Sequence, residues 1–188
     1  MMTARHASTF NYNFRVPGSK IEGTIYFAFG RTTCDMVLVG KSNQGICAIL
    51  LGDNEELLSE QLAAAFPHTE FDSDQRGLSR EVAQITAFIE GGVAEDVIDL
   101  DIGGTLFQQE VWRELCGIPT GQTRSYGEVA RHLGIPGAAR AVAGACAENL
   151  LAVAIPCHRV VGLNGLDSGY RWGVERKQAL LVKEVYEQ

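Results

Sequence analysis

A cysteine, a histidine and an arginine stand side by side after an apolar segment. Residues 150–155 form a continuous apolar run, which indicates a buried strand or extended segment. Pro156 ends that run, and Cys157-His158-Arg159 follows at once. A cysteine beside histidine and arginine is expected in an electropositive environment, which favours the nucleophilic thiolate. Cys157 is therefore the candidate nucleophile.

The other cysteines carry no such signal and are predicted to be inert packing groups. The total of five is odd, and there is no Cys-x-x-Cys pair, which favours a reduced, cytoplasmic compartment. No pair of cysteines or histidines has the spacing of zinc ligands, so we expect no metal site. The four are Cys34, Cys47, Cys116 and Cys146.

Composition excludes several classes of protein. The chain has 188 residues, of which 46% are apolar, enough for one compact domain or two small ones. Only 21% are charged, which excludes a disordered polyelectrolyte. No apolar run approaches the ~18 residues of a transmembrane helix, and the N-terminal residues do not resemble a signal peptide.

The net charge of the whole chain and that of residues 120–177 have opposite signs. The net charge of −7 argues against a nucleic-acid binder when the whole chain is counted. Residues 120–177, however, carry seven basic against four acidic side chains, a net charge of +3. This segment predicts a small basic face with few phosphate contacts, modest affinity and a shallow salt dependence.

The first half of the chain predicts a sheet and two helices. Residues 23–30, 35–40 and 46–51 are rich in β-branched and aromatic side chains, which indicates an antiparallel meander of three or four strands. Asp53 is expected to cap a helix that runs to Phe66. A polar loop over residues 67–77 and a second helix, from Ser79 to Gly91-Gly92, are expected to follow.

The second half has a helical pattern. Residues 91–104 indicate a linker or a short strand. Thr105 with Gln108 and Ser125 with Glu128 form two capping boxes, and each predicts a helix start. A last helix is expected over about residues 174–186.

The helix that begins at Ser125 is followed by a break and a second short helix. Pro136 suits the first turn of that second helix, predicted over residues 137–146. The pair is either a helix-turn-helix or an ordinary helical corner. The second helix is nearly all small residues around one long cation, Arg140, so it can approach either another helix or a DNA groove closely.

Several separated motifs together resemble the O6-alkylguanine-DNA alkyltransferases, which are direct-reversal repair proteins. The resemblance is strong from residue 103 to residue 184, looser over the first ~95 residues, and closest to the C-terminal domain of the bacterial Ada type. The motifs are Ile-Pro-Cys-His-Arg-Val-Val at 155–161, Arg-Ala-Val-Ala-Gly-Ala-Cys-Ala-Glu-Asn at 140–149, the tyrosine of Tyr-Gly-Glu-Val-Ala at 126–130, and Ser-Gly-Tyr-Arg-Trp-Gly at 168–173.

The resemblance implies an α/β (α+β) fold with two domains. Residues 1–95 would form a ribonuclease-H-like domain with an antiparallel sheet. Residues 96–188 would form a helical DNA-binding and alkyl-acceptor domain with a helix-turn-helix. The zinc domain of full Ada-type proteins has no counterpart here, so we expect a stand-alone repair protein or a C-terminal part, without phosphotriester repair or a transcriptional role of its own.

The family also implies catalytic roles. Cys157 would accept the alkyl group, and His158 would act as base on the thiol through water. Glu184 would orient His158, which gives a Glu-His-Cys relay. Asn149 would brace the turn before the cysteine, and Tyr126 would donate a proton or hydrogen bond to the departing guanine.

DNA contacts and a pocket follow from the same resemblance. The target nucleotide would be flipped out through the minor groove, with Arg140 filling its place in the stack. Bulky Arg171 and Trp172 predict good handling of methyl groups and poor handling of benzyl groups. The other implied DNA contacts are Ala138, Ala139, Ala141, Gly144, Tyr126 and Arg159, and the implied pocket residues are Val160, Tyr170, Arg171 and Trp172.

The implied activity is a stoichiometric, irreversible transfer by a monomeric cytoplasmic protein without a cofactor. The methyl group of O6-methylguanine, or of O4-methylthymine, in double-stranded DNA would move to Cys157. This is the activity of a methylated-DNA–protein-cysteine methyltransferase. One alternative is a non-catalytic module that binds DNA lesions. Another is a thiol hydrolase using Cys157 and His158, which the diverging side chains of neighbouring residues disfavour.

Overall fold

A six-stranded mixed sheet forms the centre of the first half of the protein. The computed structural model describes residues 9–92, 95–163 and 169–186. The spatial order of the strands is β1-β6-β4-β3-β2-β5. The strands are β1 (Phe10–Phe14), β2 (Thr24–Arg31), β3 (Met36–Lys41), β4 (Ile46–Gly52), β5 (Glu70–Ser73) and β6 (Ile98–Ile102).

The predicted meander is confirmed, and parallel strands extend it on both sides. Strands β2, β3 and β4 pair in antiparallel order. Strand β1 pairs in parallel with β6, β6 with β4, and β5 with β2. Strands β3 and β4 are buried along nearly their whole length. Their continuous apolar sequences suit this central position, because both faces of the sheet are covered.

The described residues contain six α-helices, of which two pack on the sheet and the others lie in the second half of the chain. Helices α1 and α2 pack on the sheet, against β3 and β4 and against β2 respectively. Helices α3, α4 and α5 pack on one another. The helices are α1 (Glu55–Ala65), α2 (Ser79–Ile89), α3 (Leu106–Cys116), α4 (Tyr126–His132), α5 (Ala139–Ala147) and α6 (Val174–Tyr186).

Both predicted capping boxes are confirmed. Thr105 caps α3 with Gln108 as its partner, and Ser125 caps α4 with Glu128. A short parallel strand pair, β7 (Arg124–Ser125) and β8 (Val160–Val161), joins the start of α4 to the segment after Cys157. These local signals therefore place the N-terminus of α4 beside the candidate nucleophile.

Three details of the expected elements are wrong. The N-cap of α1 is Asn54, whose side chain accepts a hydrogen bond from the Leu57 amide at 2.9 Å, and not Asp53. The expected loop at 67–77 contains β5, a polar edge strand without an apolar pattern. Helix α5 begins at Ala139, so Pro136 lies in the turn before it.

Residues 151–155 are buried as predicted and Leu150 is half-buried, but the segment turns instead of running as a strand. Leu151 makes a single bridge to Ile49 of β4. Val153 then adopts a left-handed backbone with φ of 66°, which is costly for a β-branched residue. The Asn149 side chain satisfies backbone groups on both sides of this bend.

Strand β6 lies after residue 95 along the chain, yet it completes the sheet of the first half. The division into units 1–95 and 96–188 stays a prediction. Within the described ranges, no helix is long and apolar enough to cross a membrane.

Candidate active site

Cys157 lies at the floor of a cleft of about 370 Å³ between α4, α5 and the segment before α6. Its side chain is almost completely buried, at 3% exposure. The cleft is lined by Tyr126, Ala143, Cys146, Ala147, Cys157, Gly169, Tyr170 and Arg171.

Within the Cys-His-Arg string, the cysteine side chain faces different surroundings from those of the histidine and the arginine. Residues Cys157–Arg159 form one turn of 3₁₀ helix after Pro156, and in such a turn successive side chains project about 120° apart. Cys157 contacts the cleft, whereas His158 and Arg159 point to a buried carboxylate on α6. The turn separates the thiol from the charged groups that the sequence places next to it.

Asn149 holds the thiol and the bend that carries it. Its Nδ2 donates to the Ile155 carbonyl at 3.0 Å and to Cys157 Sγ at 3.2 Å. Its Oδ1 accepts from the Leu151 amide at 2.9 Å. The side chain is fully buried, so these bonds are shielded from water.

The expected thiolate-favouring environment is wrong for the resting site. Burial raises the pKa of Cys157 to about 11, and the Asn149 hydrogen bond and the charge of Lys177 offset only part of that effect. The Arg159 guanidinium does not act on the thiol as predicted, because it is turned toward Glu184. Cys157 is consequently a neutral thiol near pH 7 and needs a base.

His158 and Glu184 form the buried pair that the family pattern implies. His158 Nε2 lies 2.7 Å from Glu184 Oε1, and His158 is completely buried. Burial lowers the pKa of His158, which keeps the ring neutral. Burial opposes ionisation of Glu184, but hydrogen bonds from His158 and Arg159 lower its pKa to about 2. Glu184 is therefore a carboxylate, and His158 Nε2 must donate to it.

Arg159 is a structural counter-ion, which overturns its predicted role as a DNA contact. Its side chain is only 1% exposed. Nη2 lies 2.7 Å from Glu184 Oε1, and Nη1 donates to the Ile118 carbonyl at 2.6 Å. A guanidinium held in this way cannot reach a nucleic acid outside the protein.

Lys177 is a functional candidate that did not emerge from the sequence. It is fully buried, and its Nζ donates to the Val160 carbonyl at 2.7 Å. Its charge lowers the pKa of Cys157. The spacing of Lys177, Leu180 and Glu184 at i, i+3 and i+7 places them on one face of a helix. This pattern in the sequence could have indicated that Lys177 lies on the same side as Glu184.

The four predicted pocket residues separate into two groups. Tyr170 and Arg171 line the cleft, and Arg171 Nη1 donates to the carbonyl of Ala147 at the end of α5. Val160 and Trp172 are buried and are not among the lining residues. Trp172 packs edge-on against Tyr170, with ring centroids 5.2 Å apart. Trp172 therefore supports the wall without forming its surface.

Helix α5 presents small residues and Arg140 to solvent beside the cleft. Arg140, Ala141 and Gly144 are exposed, whereas Ala138 and Ala139 are half-buried. Apart from the adjoining backbone of its own helix, no atom of the described residues lies within 4 Å of the position that a Cβ on Gly144 would take. Tyr126 opens α4 at the cleft rim. The structure thus brings these predicted residues together on one surface, with Arg159 excluded.

The basic face is smaller than the charge count predicts. Of the seven basic side chains in residues 120–177, Arg131, Arg140 and Arg171 are exposed without an acidic partner among the described residues. Two others are buried, and two pair with carboxylates. Those four are Arg159, Lys177, Arg124 and Arg176.

Metal-binding geometry is not found in the described part of the chain. Across residues 9–92, 95–163 and 169–186, no three His, Cys, Asp or Glu side chains cluster as metal ligands. All five cysteines are free thiols.

Comparison with known proteins identifies the family. Residues 106–186 match the model of the 6-O-methylguanine DNA methyltransferase DNA-binding domain. The chain is 47% identical over 116 residues to the Mycobacterium bovis methylated-DNA–protein-cysteine methyltransferase, covering 62% of this chain and 70% of that protein. The inducible Bacillus subtilis protein of that name is 37% identical over 158 residues, covering 84% and 83%. The chain belongs to this methyltransferase family.

Two further comparisons bear on scope and fold. The regulatory protein Ada of Salmonella typhimurium is 43% identical over 171 residues, or 91% of this chain. The chain spans about half of Ada, 48% of its length. The Mycobacterium tuberculosis protein OGT, solved in complex with DNA, has a TM-score of 0.70 and 34% identity, with 86% of this chain and 94% of that chain covered.

Proposed function

We propose that this protein repairs DNA by moving the methyl group of O6-methylguanine irreversibly to Cys157. The observation that carries the proposal is the buried thiol at the cleft floor, bonded to Asn149, with the His158–Glu184 pair directly behind its turn. The family relatives named as methylated-DNA–protein-cysteine methyltransferases support the same reaction. Double-stranded DNA with an alkylated guanine is the proposed partner, and O4-methylthymine is a second substrate.

The protonation states indicate how the thiol is activated. A carboxylate can only accept a hydrogen bond, so His158 carries its proton on Nε2, and Nδ1 is left with a lone pair. Nδ1 is buried and has no hydrogen-bond partner within the part of the chain that the structure describes. We assign this nitrogen the thiol proton, received through a bridging water, while Glu184 stabilises the resulting imidazolium.

Every atom of the transfer is accounted for. A bond forms between Cys157 Sγ and the methyl carbon, and the bond from that carbon to guanine O6 breaks. The electron pair of the broken bond stays on guanine, and Tyr126 protonates the ring so that guanine leaves neutral. The thiol proton held on the His158 imidazolium is returned through water, which restores the Tyr126 hydroxyl and the neutral imidazole. The product is a thioether, and no described residue of the cleft is positioned to remove it. One molecule therefore repairs one lesion.

Helices α4 and α5 supply the route to the lesion. We assign them as a helix-turn-helix whose small-residue surface enters the minor groove, with contacts from Ala138, Ala139, Ala141 and Gly144. Arg140 fills the stack after the nucleotide is flipped into the cleft. The proposed contacts fit the shape of the minor groove and add a few charges, so they do not depend on the base sequence. Such recognition suits repair of a lesion in any sequence context.

The cleft wall favours small alkyl groups. Arg171 crosses the rim to the end of α5, and Tyr170 is backed by Trp172. The buried Tyr170 hydroxyl has no hydrogen-bond partner within the described ranges. We expect methylated guanine to react well and benzylated guanine poorly. Equal rate constants for the two substrates would contradict this size limit.

Because transfer needs a free thiol, we propose that the protein acts in a reducing, cytoplasmic compartment. It acts as a monomer, since one chain holds all the proposed catalytic groups. The unit 1–95 is a ribonuclease-H-like domain, and the unit 96–188 carries the chemistry.

The direct experiment is a mass measurement. The protein is mixed with a duplex containing O6-methylguanine, and intact mass and a peptide map are recorded for the wild type and Cys157→Ser. A gain of one methylene on Cys157, absent in the variant, supports the proposal. No gain together with tight DNA binding supports the non-catalytic lesion-binding alternative. A hydrolase predicts turnover of a thioester without a lasting mass change.

A further inference from the structure

One arginine at the start of α6 ties the cleft wall to the sheet of the first half. Arg176 Nε lies 2.5 Å from Asp35 Oδ1, and its Nη2 lies 2.5 Å from Asp53 Oδ1. Its Nη1 donates to the Trp172 carbonyl at 2.9 Å. Asp35 lies in the turn between β2 and β3, and Asp53 lies between β4 and α1. Neither carboxylate belongs to the residues 106–186 that match the family's DNA-binding domain.

The two carboxylates differ in a way that separates their contributions. The Asp35 side chain is 13% exposed and that of Arg176 is 22% exposed, so this pair is largely shielded from solvent. The Asp53 side chain is 79% exposed, and water screens its pairing with Arg176. The turn around Asp35 is held by backbone bonds with Thr32, which leaves its carboxylate available to Arg176.

Arg176 is connected to the reacting groups on both sides along the chain. Before it, Trp172 backs Tyr170, which lines the cleft beside Cys157. After it, Lys177 holds the Val160 carbonyl just beyond the 3₁₀ turn. Fixing Arg176 therefore fixes the cleft wall and Lys177 together.

We propose that Arg176, held by Asp35, is a positioning residue through which the first half of the chain sets the rate of methyl transfer. This inference rests on the proposed function. Because the pair lies behind the wall and α5 carries the proposed DNA contacts, its loss changes the maximal rate constant and leaves DNA affinity unchanged.

The test is single-turnover transfer from methylated duplex over a range of DNA concentrations. It separates the maximal rate constant from the apparent Kd, and the final amplitude reports the competent fraction of protein. The variants are Asp35→Asn, Asp35→Glu and the matched exposed control Asp53→Asn. Asp35→Asn is expected to lower the maximal rate constant about tenfold, because misplacing a reacting group by about 1 Å can cost up to about 100-fold. Its Kd and amplitude should match those of the wild type.

The controls make the result decisive. Asp35→Glu keeps the charge and should stay within about threefold of the wild-type rate, and Asp53→Asn within about twofold, as for an exposed pair. A rate for Asp35→Asn within twofold of the wild type overturns the inference. A loss expressed only in Kd or amplitude, or an equal loss in Asp53→Asn, also overturns it. A wild type that transfers no methyl group refutes the proposed function itself, so the two failures are distinguishable.

Discussion

The two sides of the turn that carries Cys157 have opposite character. On the cleft side, the thiol lies among Ala143, Cys146, Ala147 and Tyr170, and burial keeps it neutral. On the rear side, a fully buried polar cluster keeps Glu184 ionised. In the proposed mechanism the thiol stays neutral until substrate arrives, while the neutral His158 ring and the ionised Glu184 are ordered beforehand. We therefore propose that the thiol becomes reactive only when its proton is removed at the moment of transfer.

Removing the thiol breaks the cleft side completely. Cys157→Ser should reduce transfer by more than about 1,000-fold, because a serine hydroxyl is a far weaker nucleophile than a thiolate. Single-turnover transfer from methylated duplex measures it. Cys146→Ser is the matched control, since Cys146 is also buried and lines the same cleft. If Cys146→Ser loses transfer and Cys157→Ser keeps it, the acceptor is assigned wrongly.

Removing the carboxylate breaks the rear side. Glu184→Gln leaves the buried Arg159 guanidinium without its counter-ion, which typically costs about 3–5 kcal/mol of unfolding free energy. The transfer rate of the folded fraction should fall about 100-fold, because base and orienting group act as one unit. Denaturant unfolding and single-turnover rates measure the two effects. The exposed Glu175→Gln on the same helix should change neither, and an equal effect there would refute a special role for Glu184.

Acid should reduce the contribution of the Glu184 cluster to the free energy of unfolding. Glu184 has a folded pKa of about 2 against an ordinary value of 4.5. Its contribution to stability is therefore present above pH 4.5 and is lost as pH falls toward 2, by about 3 kcal/mol in all, since one pKa unit equals about 1.4 kcal/mol. The stability difference between the wild type and Glu184→Gln, measured by urea unfolding, should shrink over this pH range. A constant difference would contradict the depressed pKa.

Arg140 lies outside both sides of the turn and should affect DNA alone. Arg140→Ala is expected to lower the transfer rate about tenfold by weakening nucleotide flipping, which costs a few kcal/mol. Its melting temperature should stay unchanged, because the side chain is exposed. With three exposed arginines, the slope of log affinity against log salt should be about −3 or shallower, and about one unit shallower in the variant. A steep slope, near −6, would refute the small basic face.

The smallest expected effect separates folding from DNA contact. Gly144→Ala has open space for its Cβ and should stabilise α5 by about 0.5–1 kcal/mol. The same methyl group should weaken duplex binding a few-fold if α5 enters a groove. Thermal melts and binding titrations on one sample measure both. Stabilisation without weaker binding would place the DNA contact elsewhere.

Local chemistry explains which elements could be predicted from the sequence. The capping boxes at Thr105 and Ser125 depend on residues three apart, and both are confirmed. Strand β1 pairs with β6, with Asn11 opposite Asp99, and no local pattern encodes such a distant pairing. The edge strand β5 was missed because its four residues are mostly polar and exposed.

The site shows the same division between local and distant information. The motif around Cys157 indicated the nucleophile, but the direction of Arg159 depends on a carboxylate 25 residues later. The order of charged residues along the sequence does not determine the direction in which each side chain points from a 3₁₀ turn. For the same reason the thiolate-favouring environment was wrong and the role of Lys177 was missed, since burial is a property of the folded protein.

The stoichiometry of transfer shows whether Cys157 accepts one methyl group and is not regenerated. Protein is incubated with increasing excess of a duplex carrying a radiolabelled O6-methyl group, and label bound to protein is counted against repaired guanine. The account predicts that both plateau together at about one per protein molecule, with the label mapping to Cys157. Repaired guanine rising beyond one equivalent, or label on another residue, would contradict it.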